Sequence, residues 1–152
     1  MKATTQFRIE GELVLRVRHT DGSENVFVKK NLVVNFGTAL MAKYLSGGTV
    51  STPMNQIAVG TGSTAPVVGN TALVAEVSRK LASVVQGSGG DANKVTFQAS
   101  WASGAVVATL QEAGIFDAAS AGNMFSRVVF APVVVGALDT LIATWTVTFT
   151  GV

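Results

Sequence analysis

The closing segment of the chain alternates strictly between apolar and hydroxyl side chains. Leu141, Ala143, Trp145, Val147 and Phe149 take the odd positions, and threonine takes the even positions from 144 to 150. Successive side chains of a strand point to opposite faces of its sheet, so this period of two predicts a strand with one buried and one exposed face. Threonine suits the exposed face. A chain with such a strand needs a sheet that is covered on one side.

The same alternation recurs along the rest of the chain. The first run, from Phe7 to Arg18, is followed by turn residues up to Gly22 and by a second extended run, which together predict a hairpin. The run from Met124 to Val135 is apolar on both faces, which is typical of a strand between layers or at a subunit contact. Eight or nine strands are expected, at residues 7–18, 24–28, 56–59, 75–85, 95–101, 106–116, 124–135 and 141–150.

Two segments contain apolar residues at helical spacing. From Asn35 the apolar residues follow a helical period, with Asn35 as the predicted N-terminal cap and Gly47-Gly48 as the end, so one helix is expected near residues 35–46. Residues 72–81 are compatible with a helix, but we favour a strand over 75–85, paired with 95–101 around the turn Gly87–Asp91. The predicted fold is all-β and mostly antiparallel, a jelly roll or β-sandwich/barrel in one domain, 1–152, with an extended N-terminal arm at 1–6.

Composition excludes several classes of chemistry. The chain has no cysteine and one histidine, so it cannot build a disulfide, a thiolate site or a two-histidine metal site. Charged residues make up 13% of the chain, against roughly 25% in soluble domains, and the net charge is +2. This balance does not favour nucleic acid, and the low charge indicates that some surface contacts other protein. The charge-free stretch 128–138 is too short to span a membrane, and no secretory segment follows Met1, so folding in the cytosol is expected.

The glycine-rich run that starts at Gly60 imitates a dinucleotide-binding fingerprint. It reads Gly-Thr-Gly-Ser-Thr-Ala, but Pro66 and Gly69 oppose a following helix, so we predict a surface loop whose glycines take positive φ. The only histidine, His19, is expected to be exposed in a turn beside Asp21, which does not fit a catalytic triad.

The remaining polar and aromatic candidates have structural explanations. Nothing in the spacing aims two of Glu76, Glu112 and Asp117 at one substrate, so we expect them to be charges at strand edges or rims. Asp91 and Asn93 suit turn formation better than calcium binding. The two tryptophans lie on the apolar sides of their strands, which favours core packing over a sugar-binding platform. No catalytic residue, metal ligand or cofactor is predicted.

Three stretches of the sequence carry a resemblance to a known family. They are residues 57–66 (IAVGTGSTAP) with Asn70-Thr71-Ala72-Leu73, Glu76 and Arg79; residues 112–120 (EAGIFDAAS) with Met124-Phe125-Ser126-Arg127; and residues 139–147 (DTLIATWTV). Together with the opening hairpin and Lys30-Asn31-Leu32-Val33, they resemble small virion proteins of tailed bacteriophages over nearly the whole chain. The resemblance implies a β-rich, non-enzymatic subunit of a head or tail.

Within this family a capsid cement or decoration protein is the first expectation, and a tail, baseplate or fibre-associated subunit is the second. A carbohydrate-binding module is a third, weaker possibility. The expected partners are the major capsid protein, or tail proteins, of the same phage and a second or third copy of this chain, with no membrane and no specific nucleic acid. The expected location is the virion, at the capsid surface. The candidate protein-contact residues are Lys2, Thr4, Gln6, Lys29, Lys30, Thr61, Ser63, Asn70 and Asp91.

Overall fold

The computed structural model describes residues 6–151. Ten strands and one α-helix follow one another in this range. The strands are β1 Phe7–Arg18, β2 Glu24–Lys30, β3 Leu32–Val33, β4 Gln56–Gly60, β5 Glu76–Leu81, β6 Ser83–Gln86, β7 Lys94–Trp101, β8 Ala108–Phe116, β9 Met124–Val135 and β10 Thr140–Gly151; the helix is α1 Asn35–Leu45, and a 3₁₀ turn spans Gly89–Asp91. No helix in this range is long and apolar enough to cross a membrane.

The strands form two five-stranded sheets. Sheet A has the order β2-β1-β10-β7-β6, and sheet B has the order β3-β9-β8-β4-β5. Every neighbouring pair is antiparallel, including the predicted β1–β2 hairpin and the predicted pair β6–β7. The predicted mostly antiparallel, all-β sandwich with one short helix is therefore confirmed.

The main core lies between the two sheets. The alternating residues of β10 and β1 supply one side of it, and Leu110, Ile115 and Val128 supply the other. Trp145 is completely buried and Trp101 is 2% exposed, so the prediction that both tryptophans are core residues is confirmed. Neither tryptophan therefore offers an exposed ring for a sugar to stack on.

The predicted strand over residues 75–85 is two strands, and the helical alternative for 72–81 is wrong. The break falls at Ala82, which is buried and whose backbone N–H donates to the Asn55 carbonyl at 2.7 Å. On one side β5 pairs with β4 in sheet B, and on the other side β6 pairs with β7 in sheet A. The chain therefore crosses between the sheets at this point, which a continuous period of two does not reveal.

The ends of α1 differ in how well the sequence predicts them. The prediction that Asn35 caps the helix is wrong, because Val34 is the capping residue and no side chain caps the helix. Asn35 is the first helical residue. At the other end, Gly47 has a φ of +75°, and the N–H groups of Gly47 and Gly48 donate to the carbonyls of Tyr44 and Lys43. The predicted glycine stop is confirmed.

Gly37 provides a test of how closely α1 packs against sheet B. A Cβ at this position would lie 2.8 Å from Val33 Cγ1 and would also clash with the Phe125 carbonyl oxygen. On an exposed helix, Gly37→Ala would stabilise the protein by about 1 kcal/mol. Here we expect a loss of about 1–3 kcal/mol in the free energy of unfolding, because the helix has to shift away from β9. Urea unfolding measures the sign, and a gain in stability would contradict this packing.

Candidate functional site

The loop 61–75, between β4 and β5, covers the outer face of sheet B. Leu73 from this loop is buried against Ala58, Phe116 and Met124, which are outward-facing residues of three neighbouring strands. Together with Val34 they form a second, smaller core outside the sandwich. The loop lies at the surface, as predicted, and Leu73 packs it against sheet B.

A buried ion pair lies beneath this loop. Arg127 on β9 donates through Nε and Nη2 to Glu112 Oε2 on β8, at 3.0 and 2.8 Å, and neither side chain is exposed to solvent. The backbone N–H groups of Gly62, Val74 and Ala75 donate to the same carboxylate at 3.1, 3.1 and 2.7 Å. Both ends of the loop thus donate hydrogen bonds to the carboxylate. A buried ion pair is tolerated when its remaining polar atoms are hydrogen-bonded in this way.

Arg127 also reaches the middle of the loop. Its Nη2 donates to the Thr64 carbonyl and its Nη1 to Asn70 Oδ1, both at 3.0 Å. Asn70 Oδ1 also accepts the N–H of Val67 at 2.9 Å, and the N–H of Asn35 donates to the Val68 carbonyl at 2.8 Å. These bonds hold the loop tip, where Val67 and Val68 are 57% and 52% exposed. The tip is an apolar surface held in one conformation.

The charge state of Glu112 follows from these contacts. Burial raises the pKa of its carboxyl group. The hydrogen bonds from Ala75 and Val74 and the adjacent Arg127 guanidinium lower the pKa, and together they outweigh the effect of burial. The net pKa of Glu112 is below its ordinary value, so the carboxylate is ionised at neutral pH.

The prediction of Glu112 and Asp117 as rim charges is wrong. Asp117 is buried at the β8–β9 turn, where it accepts hydrogen bonds from the backbone N–H and the side-chain amide of Asn123 at 2.7 and 2.8 Å. A sequence signal for the buried pair does exist, since Glu112 is the only charged residue of β8 and Arg127 is the only one of β9. A lone acid and a lone base in two apolar strands indicate that they are paired. Glu76 is partly exposed and bound to Arg79 on the edge strand β5, as expected.

The glycines of the fingerprint-like run are required for another reason than the predicted one. Neither Gly60 nor Gly62 has a positive φ. Instead, a Cβ on Gly60 would lie 2.8 Å from Glu112 Oε1, and a Cβ on Gly62 would clash with the same oxygen. Both glycines let the backbone approach the buried carboxylate. The positive-φ prediction is therefore wrong for this run.

His19 is half-buried, not exposed as predicted. Its Nδ1 lies 2.8 Å from Oδ1 of Asp139, which is in the β9–β10 turn. Its Nε2 lies 3.0 Å from the side-chain amide nitrogen of Asn25. The Gly136 N–H and the His19 ring both lower the pKa of Asp139. A catalytic triad would place a nucleophilic hydroxyl group at Nε2, where this histidine has the amide of Asn25. The His19–Asp139 contact links the β1–β2 turn to the β9–β10 turn.

The candidate contact residues lie on separate elements. Lys29 and Lys30 are exposed on the edge strand β2, and Gln6 is exposed just before β1. Asp91 is exposed in the 3₁₀ turn, with Lys94 Nζ 2.6 Å from its carboxylate. In the loop, Thr61 and Ser63 are exposed, but Asn70 is half-buried and its amide oxygen serves the fold. Lys2 and Thr4 lie outside the described residues. The seven candidate residues within 6–151 do not form one site.

A more continuous candidate surface lies at the edge formed by β5 and β6, the last strands of sheets B and A. Val77, Leu81, Val84 and Val85 expose between 42% and 64% of their surface there. We call these four residues the β5–β6 edge. Strand β6 carries no charge, and edge strands without charges are open to added strands or apolar partners. The sequence missed this surface because it did not reveal the crossing at Ala82.

Across residues 6–151, no group of three or more histidine, aspartate or glutamate side chains is arranged to hold a metal ion. Scans against protein-family models, curated proteins and solved structures found no match to the chain. The candidate functional surfaces therefore rest on the geometry alone: the apolar β5–β6 edge and the pinned tip of loop 61–75.

The buried pair predicts a specific response to loss of one charge. Glu112→Gln leaves Arg127 buried without a counter-charge, so we expect a loss of about 3–5 kcal/mol in the free energy of unfolding. The contribution of Glu112 is complete above about pH 4.3, the ordinary glutamate pKa, and is lost as the pH falls through the lowered pKa of the folded state. The difference in the free energy of unfolding between wild type and Glu112→Gln should therefore become smaller at acidic pH.

Glu24→Gln serves as the matched control for this experiment, since Glu24 forms an exposed pair with Arg18 at 2.7 Å. Glu24→Gln should lower the free energy of unfolding much less than Glu112→Gln at neutral pH. Urea unfolding at a series of pH values measures both variants. Equal losses at the two positions would contradict the buried pair.

Two glycines of the same loop form a second matched comparison. Gly62→Ala places a methyl group against the Glu112 carboxylate, and we expect it to destabilise the protein by about 1–3 kcal/mol. A Cβ on Gly69 meets nothing within 4 Å, so Gly69→Ala should be neutral or slightly stabilising. Thermal unfolding followed by circular dichroism compares them, and similar effects at both positions would rule out the close approach at Gly62.

Proposed function

We propose that this protein is a non-catalytic structural subunit of a tailed-bacteriophage virion, most specifically a capsid cement or decoration protein. In this role it binds across neighbouring major capsid protein subunits and stabilises the head. The observation that carries the proposal is the β5–β6 edge, where four exposed apolar side chains lie on two edge strands, one of which, β6, carries no charge. The sequence resemblance to small virion proteins supports the same role.

The physical requirements of such a role match this surface. A capsid offers many identical seams, and a small subunit gains occupancy from several modest contacts made at once. Each contact needs only an ordinary interface, on the order of 800 Å² per partner. An open strand edge provides backbone hydrogen bonds, and its apolar side chains provide burial. Strand β6 has no charged residue to desolvate, which lowers the cost of burying this part of the edge.

The pinned loop provides a second contact of the same kind. Val67 and Val68 are exposed, and the bonds from Arg127 and Asn35 already fix the backbone around them. A partner that binds this tip does not have to order it, which removes part of the entropic cost of binding. A rigid tip and an open edge together suit a clamp between rigid shell proteins. A homodimer or homotrimer of the chain would multiply these contacts.

Binding to phage particles tests the proposal. Particles of the phage that encodes this chain are produced without its gene and mixed with the purified protein, and bound protein is measured after sedimentation. We expect saturable binding to heads, and the double variant Leu81→Lys/Val85→Lys should bind at least tenfold more weakly, because lysine blocks edge pairing. Val134→Lys is the matched control, since Val134 is 67% exposed on β9.

Cryo-electron microscopy of the intact particle gives an independent outcome. Density for the sandwich on the capsid surface would support a decoration protein. Density confined to the tail or baseplate would overturn the capsid assignment in favour of the tail subunit. Absence of the protein from purified virions would overturn the proposed class altogether.

A further inference from the structure

The outer face of sheet A carries an ordered row of charges along β1. The inward-facing residues Leu13, Leu15 and Val17 are buried, so the even-numbered residues of the strand face outward. In order, the outward row is Arg8, Glu10, Glu12, Val14, Arg16 and Arg18. The two charges next to Val14 on one side are therefore acids, with Arg8 beyond them, and the two on the other side are bases.

The centre of this row is apolar. Val28 of β2 is directly opposite Val14, and Val26 is opposite Arg16, while Ile142 of β10 is opposite Arg16 on the other side. Val26 and Val28 are 47% and 57% exposed. An apolar centre with charged residues around it is the usual composition of a protein–protein interface.

The order of the charges determines which partner fits. A two-fold axis that runs across β1 at Val14 and lies in the plane of contact would place a second copy with its β1 antiparallel to the first. Glu12 then faces Arg16 of the other copy, Glu10 faces Arg18, and the same contacts recur by symmetry. We infer that the outer face of sheet A is the interface of a symmetric dimer of this chain. The row is complementary to itself in this arrangement.

The contacts within one chain leave the inner charges of the row available. Arg18 is bound to Glu24 at 2.7 Å, but Arg16 lies 3.5 Å from the same carboxylate, and none of the ion pairs found in residues 6–151 includes Glu12. Glu12 and Arg16 are both exposed. Within residues 6–151, Arg16 has only this longer ion pair, and Glu12 lies opposite Lys30 of β2 without forming one. The Glu12–Arg16 contact between copies therefore adds to charges that the monomer neutralises only in part.

The size of the face matches the size of a stable interface. Sheet A has five strands, and β1 and β10 each have twelve residues. With strands about 4.8 Å apart and a rise of about 3.3 Å per residue, the 43 strand residues of the sheet cover on the order of 700 Å². A specific interface buries about 800 Å² per partner. The inference deepens the self-association part of the proposed function and rests on it, but not on binding to a capsid.

Charge exchange between two variants tests this interface. Glu12→Arg places arginine opposite arginine in the dimer, and Arg16→Glu places glutamate opposite glutamate. We expect each single variant to dimerise at least tenfold more weakly than wild type, because like charges then face each other twice across the axis. An equimolar mixture of the two should form a heterodimer, since both contacts are then between opposite charges. The double variant Glu12→Arg/Arg16→Glu should dimerise as wild type does.

The measurements are sedimentation equilibrium over a concentration series and native mass spectrometry, which separates the heterodimer by mass. Lys80→Glu, a matched change of charge on the exposed face of β5, should leave the dimer unchanged. Circular dichroism shows that each variant is folded. A monomeric wild type, an unchanged dimer in the single variants, or no heterodimer in the mixture would overturn the inference. An unchanged dimer would point to another interface, such as the β5–β6 edge, and the particle-binding result would stand independently.

Discussion

The buried ion pair between Arg127 and Glu112 sets the conformation of the loop 61–75 outside sheet B. Two charges without access to water are tolerated only when their remaining donors and acceptors are satisfied. Here the loop 61–75 supplies those partners from its two ends and from Thr64 and Asn70. The loop therefore needs the pair for its position, and the pair needs the loop for its hydrogen bonds. Neither can form alone, so the loop belongs to the cooperative unit of the fold.

This dependence makes the two faces of the sandwich different. The outer face of sheet B is covered by the chain itself, with Leu73 and the ion pair sealed beneath the loop. Within residues 6–151, no segment covers the outer face of sheet A, which presents threonine, valine and the charged row of β1. One face is thus occupied in the monomer, while the other is free. A broad contact with another molecule can therefore form at the outer face of sheet A, whereas the side of sheet B offers the smaller loop tip at Val67 and Val68.

The sequence predicted the parts of the fold that alternation controls. The limits of β9 were predicted correctly, and those of β1, β10 and α1 to within one residue, because in each of them one side is buried in the main core. The period of two assigns residues to opposite faces, but it does not tell whether the outer face meets water. Glu112 was therefore assigned to a rim, although the loop buries it. The same limit explains why the role of the glycines at 60 and 62 was predicted wrongly. Their close approach to Glu112 is a tertiary contact, which the period of the sequence does not show.

The distribution of the few charges bears on how the protein selects a partner. The chain has 20 charged residues, eleven bases and nine acids, and eight of them lie on β1 and β2. Apolar contacts contribute affinity but are tolerant of orientation, whereas ordered charges fix orientation and penalise wrong partners. A chain that places its scarce charges in an ordered row on one hairpin, and leaves β6 uncharged, has separated these two tasks. The hairpin sets how a partner is oriented, and the uncharged edge adds affinity wherever a neighbour's backbone comes within reach.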